Sequence, residues 1–357
     1  MVVEEMSVEG DTYDVLYIGT REGKVFRGVL SSDPKPHVAL REWFPEQGEP
    51  GLGAGAGGSF LSCAPPVPKS IYSTPFVIDG VVYVGSYDGK VYALDGQDMT
   101  EIWEYPQKGD IDSIVGSPVV EDGVLYIGST DGKLYALDAE SGHEVWPQPF
   151  QTDDKIWATP AVHDGVVYIG SFDQNLYAID AETGTEIWRF ETQGGIGSTP
   201  VIYNDIIYIG SFDKKFYAIN LDGTEKWRFD GADNWFWIKA VVYDDIVIAG
   251  CLDHWVYALD AETGDKRWEF ETGGRIRADP VVAGDLVIIG SGDDMVYALD
   301  AGTGESAWPA PKTVDGHIRA PLFAGEDTVY LYTTAGTLYA LDTEHGKKLW
   351  EQVTREP

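Results

Sequence analysis

Residues 198–229 read STPVIYNDIIYIGSFDKKFYAINLDGTEKWRF, and this stretch contains the pattern that decides the fold. Short runs rich in β-branched and aromatic residues alternate with turn residues at Asn204-Asp205, Phe212-Asp213-Lys214 and Asp222-Gly223. Such runs, bounded by turn signals, are typical of strands. The stretch therefore predicts four short antiparallel strands joined by tight turns, which is one blade of a β-propeller.

The same unit recurs along the chain. A Tyr-Ala-Leu-Asp tetrapeptide, or a near copy of it, returns every 40–43 residues and begins at Tyr92, Tyr135, Tyr177, Tyr217, Tyr257, Tyr297 and Tyr339. A period near forty built from short strands indicates a propeller. A degenerate copy precedes these seven, with residues 2–8, 15–20, 24–26 and 41–44 as its four strands. We therefore expect an all-β fold, an eight-bladed β-propeller of four-stranded antiparallel blades; seven blades with an N-terminal extension are the alternative.

The repeat also sets the domain organisation. The 357 residues are expected to form a single propeller domain spanning residues 1–357. Residues 45–69 interrupt the array with six glycines and five prolines, and they predict an irregular loop insertion.

Two repeated side chains are interpreted as scaffold. Six tryptophans each follow a turn glycine by four residues, and six aspartates lie between the second and third strands. A large ring at one register in every blade is suited to filling the gap between neighbouring blades, and aspartate is a common hairpin-turn residue. The tryptophans are Trp146, Trp188, Trp227, Trp268, Trp308 and Trp350; the aspartates are Asp88, Asp131, Asp173, Asp213, Asp253 and Asp293.

Charge limits the partners that the chain can bind. Its 59 acidic and 25 basic residues give a formal net charge of -34. Such acidity repels nucleic acids and anionic membrane surfaces, and it suits a salt-adapted, halophilic host. No stretch approaches the ~20 apolar residues of a membrane span. The N-terminus lacks the features of a signal peptide, so cytoplasmic localisation is expected for the chain as written, and the cell envelope if a leader has been removed. We expect a monomer.

Neither a metal site nor a catalytic constellation is predicted. The two cysteines, Cys63 and Cys251, are far apart, and the six histidines are scattered. Metal sites need ligands at close spacing, and the chain contains no recognisable Ser/His/Asp arrangement. We therefore expect no catalytic residue, no metal and no cofactor.

The repeat resembles that of the quinoprotein-type propellers, whose pyrroloquinoline quinone-like unit reads Thr-Pro-Val-Val, Val-Tyr-Ile-Gly-Ser, Asp-Gly-x-Leu-Tyr-Ala-Leu-Asp and Thr-Gly-x-x-x-Trp. The match is complete at residues 159–188 and extends over nearly the whole chain. This superfamily has an enzymatic branch, the pyrroloquinoline quinone-dependent dehydrogenases, and a non-enzymatic branch that is similar to BamB. The enzymatic branch implies a catalytic aspartate, calcium ligands, long inserted loops and, in many members, adjacent cysteines.

The chain lacks the adjacent cysteines and most of the long loops, and the resemblance therefore favours the BamB-like branch. It implies a non-catalytic binding or scaffold propeller with a protein partner, although the BamB-type lipid-anchor cysteine is also missing. A quinone-dependent oxidoreductase, or a degenerate relative of one, is one alternative. A propeller that senses a small anion is the other.

The repeats differ at the start of each innermost strand, which faces one mouth of the central channel. Aligning each repeat on an isoleucine, with Ile238 in the fifth repeat, places Lys239, Arg277 and Arg319 at one register. Residues next to the isoleucines add further side chains to this mouth: Arg275, His317, Tyr72, Trp157 and Trp237.

In so acidic a chain, such a cluster of cations predicts a pocket for an anionic ligand. Arginine forks would bind a carboxylate and aromatic rings would stack on the ligand. The alternative is that these cations neutralise channel carboxylates such as Asp279 and only hold the blades together.

Overall fold

The computed structural model describes residues 1–8, 11–20, 22–30, 41–43, 70–325 and 327–354. The secondary structure assigned to these residues consists of strands and turns, without a helix. No helix in this part of the chain could therefore cross a membrane. The predicted loop insertion at residues 45–69 lies outside the described residues.

The strands form four-stranded antiparallel sheets in which sequence neighbours pair. Seven sheets carry the Tyr-Ala-Leu-Asp repeat, and we number them repeat blades 1 to 7 in chain order. The remaining sheet, the N-terminal sheet, consists of Val2–Val8, Asp11–Gly19, Val25–Leu30 and Arg41–Trp43. A propeller of four-stranded antiparallel blades is therefore confirmed, but seven blades rather than eight carry the repeat.

The first strand of each repeat blade is the innermost one, and first strands of neighbouring blades contact each other around the channel. These strands are Phe76–Ile78, Val119–Glu121, Ala161–His163, Val201–Tyr203, Val241–Tyr243, Val281–Ala283 and Phe323–Ala324. The second strands are Val81–Gly85, Val124–Gly128, Val166–Gly170, Ile206–Gly210, Ile246–Gly250, Leu286–Gly290 and Thr328–Tyr332. Their β-branched and aromatic side chains fill the interfaces between blades.

The third strands contain the repeated tetrapeptide, which is buried. They are Val91–Asp95, Lys133–Asp138, Asn175–Asp180, Phe216–Asn220, Trp255–Asp260, Met295–Asp300 and Thr337–Asp342. The outer strands are Glu101–Tyr105, Phe150–Gln151, Glu186–Glu191, Glu225–Phe229, Lys266–Glu271, Lys312–Thr313 and Lys348–Val353.

The tryptophans of the outer edge join neighbouring blades, as predicted. Trp227 packs under the turn glycine of the next blade, where a Cβ on Gly264 would lie 2.6 Å from its ring. The Trp227 Nε1 donates to the Ala261 carbonyl of that blade at 3.0 Å. The same bond to the next blade recurs at Trp103, Trp146, Trp188, Trp268 and Trp308. These rings are packing elements, and the turn glycines need their positive φ.

The repeated aspartates organise hairpin turns, as predicted. In repeat blade 4, Asp213 accepts the Lys215 N–H at 3.0 Å and the Tyr217 hydroxyl at 2.6 Å. Burial raises the pKa of the repeat tyrosines, for example that of Tyr297 to about 12. The described residues contain no group of acidic, histidine or cysteine side chains that could hold a metal ion.

Candidate functional site at the channel mouth

One buried residue in each blade fixes the register of the mouth. We call it the anchor residue; it lies five positions before the first residue of the innermost strand. Its side chain packs against the glycine that ends a neighbouring second strand, as Ile196 does with Gly170 and Ile276 with Gly250. The anchors, all at most 3% exposed, are Ile71, Ile114, Ile156, Ile196, Phe236, Ile276 and Ile318.

The anchor of repeat blade 5 is Phe236, and the predicted alignment on Ile238 is therefore wrong. The Phe236 N–H donates to the Ser211 carbonyl, as the Ile196 N–H does to Ser171. A Cβ on Gly210 would lie 2.3 Å from the Phe236 Cβ. A phenylalanine occupies the position that isoleucine holds elsewhere, and the chain register shifts by two residues.

This correction separates two rings of side chains. The residue after each anchor forms the rim of the mouth: Tyr72, Val115, Trp157, Gly197, Trp237, Arg277 and Arg319. The residue three positions after each anchor forms a deeper ring: Thr74, Ser117, Thr159, Thr199, Lys239, Asp279 and Pro321. Lys239 is therefore not in register with the two arginines; it belongs to the deeper ring.

The deeper ring also links the blades. The Thr74 N–H donates to the Ser117 hydroxyl at 2.8 Å, and the Ser117 N–H donates to the Thr159 hydroxyl at 2.9 Å. The Lys239 N–H donates to the Asp279 carboxylate at 2.9 Å. Each bond joins one blade to the next, so hydroxyl and carboxylate side chains at this register have a structural role.

Both rings surround a cavity of about 390 Å³. Six of the eight predicted site residues line it: Tyr72, Trp157, Trp237, Lys239, Arg277 and Arg319. Arg275 and His317 do not line this cavity. They line an adjacent recess of about 160 Å³ that shares Arg277 and Arg319 with it. The structure thus brings all eight residues to one mouth, in two connected compartments.

One wall of the cavity is aromatic. The Phe212 ring stacks between Trp235, at 4.8 Å, and Trp237, at 5.1 Å. Trp157 contacts the Trp237 ring edge-on at 5.8 Å, although repeat blade 4 lies between their blades. Phe172 contacts both Trp157 and Phe212. Trp157, Trp235 and Trp237 line the cavity, and Phe172 and Phe212 join them in a continuous set of ring contacts across three blades; Trp235 is 42% exposed.

Glycines of repeat blade 4 make room for this aromatic wall. A Cβ on Gly197 would lie 2.8 Å from the Phe212 Cζ, and a Cβ on Gly195 would lie 3.2 Å from the same ring. Neither glycine has the positive φ that would require it for backbone reasons. Their missing side chains are what allow Phe212 to lie between the two tryptophans.

The other side of the mouth is cationic. Within the described ranges, the Lys239, Arg275 and Arg277 side chains form no ion pair. His317 Nδ1 lies 2.7 Å from Asp294 Oδ1. Lys239, Arg275 and Arg277 are therefore not held in ion pairs with described carboxylates.

Asp279 is the one channel carboxylate at this register. Burial raises its pKa, while the Lys239 N–H and the charge of Lys239 oppose that rise. The alternative interpretation of the cluster, neutralisation of Asp279, is thus supported only for Lys239, and mainly through its backbone.

The sequence reasoning missed Phe172, Phe212 and Trp235. The first two follow the serine that comes directly after a second strand, in Ser171-Phe172-Asp173 and Ser211-Phe212-Asp213. The corresponding residues elsewhere are Tyr87, Thr130, Leu252, Gly292 and Thr334. The aromatic residues at this position in two consecutive blades indicate, from the sequence alone, that aromatic rings cluster on this side of the mouth.

Comparison with known proteins gives a family match. The family model described as outer membrane protein assembly factor BamB matches residues 64–157, 151–251 and 234–357. Among solved structures, BamB from Moraxella catarrhalis is 19% identical; the match covers 95% of this chain and 97% of that chain, with a TM-score of 0.70. The computationally designed Ika8 protein is 18% identical over 80% of this chain and 87% of that chain, with a TM-score of 0.70. No curated protein matches the chain.

Proposed function

Because the chain belongs to the pyrroloquinoline quinone-like repeat family described as outer membrane protein assembly factor BamB, we propose that it is a non-catalytic scaffold that binds a protein partner. The channel mouth is the docking site, where it holds an anionic group of the partner. The single observation that carries this proposal is the 390 Å³ cavity, with aromatic rings on one side and the cations Lys239, Arg277 and Arg319 on the other.

The chemistry of the two walls defines what the cavity binds. Arginine binds a carboxylate through two parallel N–H bonds, and flat rings bury apolar area with little loss of side-chain entropy. Trp237 and Arg277 lie at the same register in consecutive blades, so a group that carries a ring and a carboxylate contacts both. The remaining surface is acidic and repels anions, so an anion binds preferentially at this mouth.

The side chains also support a non-catalytic role. Burial raises the pKa of the Cys251 thiol well above its usual range, so this cysteine is not a thiolate nucleophile at neutral pH. Cys63 lies outside the described residues. The cavity lining contains hydroxyls, aromatics and cations, but none of its hydroxyls has a histidine or cysteine beside it in the lining.

We further propose that the N-terminal sheet is an eighth blade that closes the ring. Its Val15 and Tyr17 share a core cluster with Ile71 and Tyr92 of repeat blade 1. On its other side, Leu16, Ile18 and Phe26 share a cluster with Leu338 of repeat blade 7.

The docking proposal is tested with a matched pair of probes, N-acetyl-phenylalanine and its amide, by isothermal titration. We expect the acid to bind and the amide to bind more weakly, because only the acid has a carboxylate for Arg277. Arg277→Ala should weaken binding of the acid about 10- to 100-fold, the range of one charge-assisted hydrogen bond. Trp237→Ala should weaken both probes.

Arg189→Ala is the matched control, since Arg189 is an exposed outer-strand arginine paired with Glu186. Equal binding of acid and amide, or equal loss in the Arg189 variant, would refute the docking site. In the same preparation, pyrroloquinoline quinone with calcium should give no dye-linked alcohol or sugar oxidation. Turnover that depends on the quinone would favour the oxidoreductase alternative.

A further inference from the structure

We propose that the recess between repeat blades 6 and 7 is a binding site for a phosphate monoester group. The recess has a volume of about 160 Å³ and is lined by Arg275, Arg277, Gly292, His317, Ile318 and Arg319. It shares Arg277 and Arg319 with the cavity described above, but Arg275, Gly292 and His317 line only the recess. It therefore does not depend on the docking function proposed for the cavity.

The charge of the recess is exceptional for this protein. Three arginines and a histidine line it, and no carboxylate does. The Asp294 carboxylate contacts His317 at 2.7 Å. Arginines on outer strands are paired instead, as Arg189 is with Glu186 and Arg267 with Asp260. Arg275 and Arg277 make no ion pair with any described residue, so their donors face the recess uncompensated.

The number of donors favours phosphate over carboxylate. Each guanidinium presents a planar fork that suits two oxygens of one anion. A carboxylate has two oxygens and one charge, whereas a phosphate monoester has three terminal oxygens and a charge of about -1.5 to -2 at neutral pH. The forks of Arg275 and Arg277, with Arg319 and His317 beside them in one small recess, match the phosphate in both oxygen count and charge.

Gly292 provides the space for this anion. At the same position the other repeats carry side chains, with Phe212 and Leu252 in the two preceding blades. The backbone there is alike, since the Gly292 N–H donates to Arg275 just as the Leu252 N–H donates to Trp235. Gly292 does not have a positive φ. The backbone conformation therefore does not require glycine, and the missing side chain leaves the recess open beside the arginines.

The two compartments meet at Arg277 and Arg319, which line both. A phosphate held in the recess therefore directs its ester substituent toward the aromatic wall. This geometry predicts that a phosphate attached to a ring binds more tightly than inorganic phosphate.

The test is isothermal titration with inorganic phosphate, phenyl phosphate and acetate in one chloride buffer. We expect phosphate to bind, phenyl phosphate to bind more tightly, and acetate to bind at least tenfold more weakly. Arg275→Ala should weaken phosphate binding about 10- to 100-fold. Gly292→Leu should cause a similar loss with every charge retained, and the leucine of the preceding blade shows that this position accepts such a side chain.

Two variants separate this inference from the docking proposal. Trp237→Ala should leave inorganic phosphate binding unchanged while it weakens phenyl phosphate, and Arg189→Ala should change neither. The phosphate site is refuted if inorganic phosphate does not bind, if acetate binds equally well, or if both Arg275→Ala and Gly292→Leu retain full affinity. Thermal unfolding of each variant shows whether a loss of binding comes from a loss of fold.

Discussion

Replacing Gly197 by alanine should displace Phe212 from between Trp235 and Trp237 while every aromatic residue of the wall is retained. The new Cβ would lie 2.8 Å from the Phe212 Cζ and 3.7 Å from the Phe172 Cε2. A contact below 3.0 Å requires movement, and the ring that moves is the one stacked between Trp235 and Trp237. Aromatic pairs contribute about 0.5–1.5 kcal/mol each beyond area burial. Loss of both stacks therefore costs about 1–3 kcal/mol.

This change is measurable in three ways. Dividing this free-energy loss by the unfolding entropy of a chain of this length gives a decrease in Tm of about 1–4 °C. The near-UV circular dichroism should also change, because two tryptophans lose a stacked neighbour. Affinity for N-acetyl-phenylalanine should fall in parallel, since Trp237 loses its support.

Gly302→Ala is the matched control. A Cβ there meets only the Asp300 Oδ1, at 3.5 Å, and Gly302 does not have a positive φ. Its alanine variant should be neutral or stabilised by about 0.4–1 kcal/mol. If the Gly197 variant matches this control in Tm and in near-UV spectrum, the reasoning about the wall is wrong.

Two further predictions concern the channel and the ring. Asp279→Asn should keep the Tm unchanged or raise it, because burial raises the pKa of Asp279 and its ionised form is destabilising at neutral pH, while the asparagine oxygen still accepts the Lys239 N–H. The same variant should bind N-acetyl-phenylalanine several-fold more tightly by titration, and weaker binding would contradict this account. Leu16→Ala, at a side chain 1% exposed, should destabilise the protein by about 2–5 kcal/mol within one unfolding transition by calorimetry. A separate early transition would show that the N-terminal sheet is not part of a closed ring.

The repeat made most of the fold readable from sequence. Four strand-like runs and two turn signals in each unit defined the blades, because packing between blades imposes the same residue at the same register. The predicted strand at residues 2–8 is present as Val2–Val8, although the N-terminal sheet to which it belongs carries no copy of the tetrapeptide. The N-terminal sheet could not be placed with equal precision, since it lacks the tryptophan and glycine pair that joins the other blades.

The site was harder to predict from the sequence, because the anchor position requires a buried side chain that fits against a glycine and does not require one particular residue type. Ile238 was chosen as the anchor since every other repeat has isoleucine there. Phe236 serves instead because the position needs a buried side chain against Gly210, and a phenyl ring fills that space. Counting back five residues from Val241, as from Val201 to Ile196, would have identified it. The stacking of Phe212 between tryptophans could not be read, since it depends on how three blades converge.

The hydrogen bonds of the deeper ring have a consequence for how such a site changes over time. They join blade to blade through residues three positions after each anchor, as in the bond from the Thr74 N–H to Ser117. The rim residues, one position after each anchor, are not the partners in these bonds. The rim can therefore change at Arg277, whose side chain forms no ion pair with a described residue, while Asp279, two residues along, still accepts the Lys239 N–H of the neighbouring blade. Selection, or a protein engineer, can therefore change ligand preference on the cationic side of the rim without breaking the bonds between blades, whereas Trp157, Gly197 and Trp237 are coupled to one another through the aromatic wall.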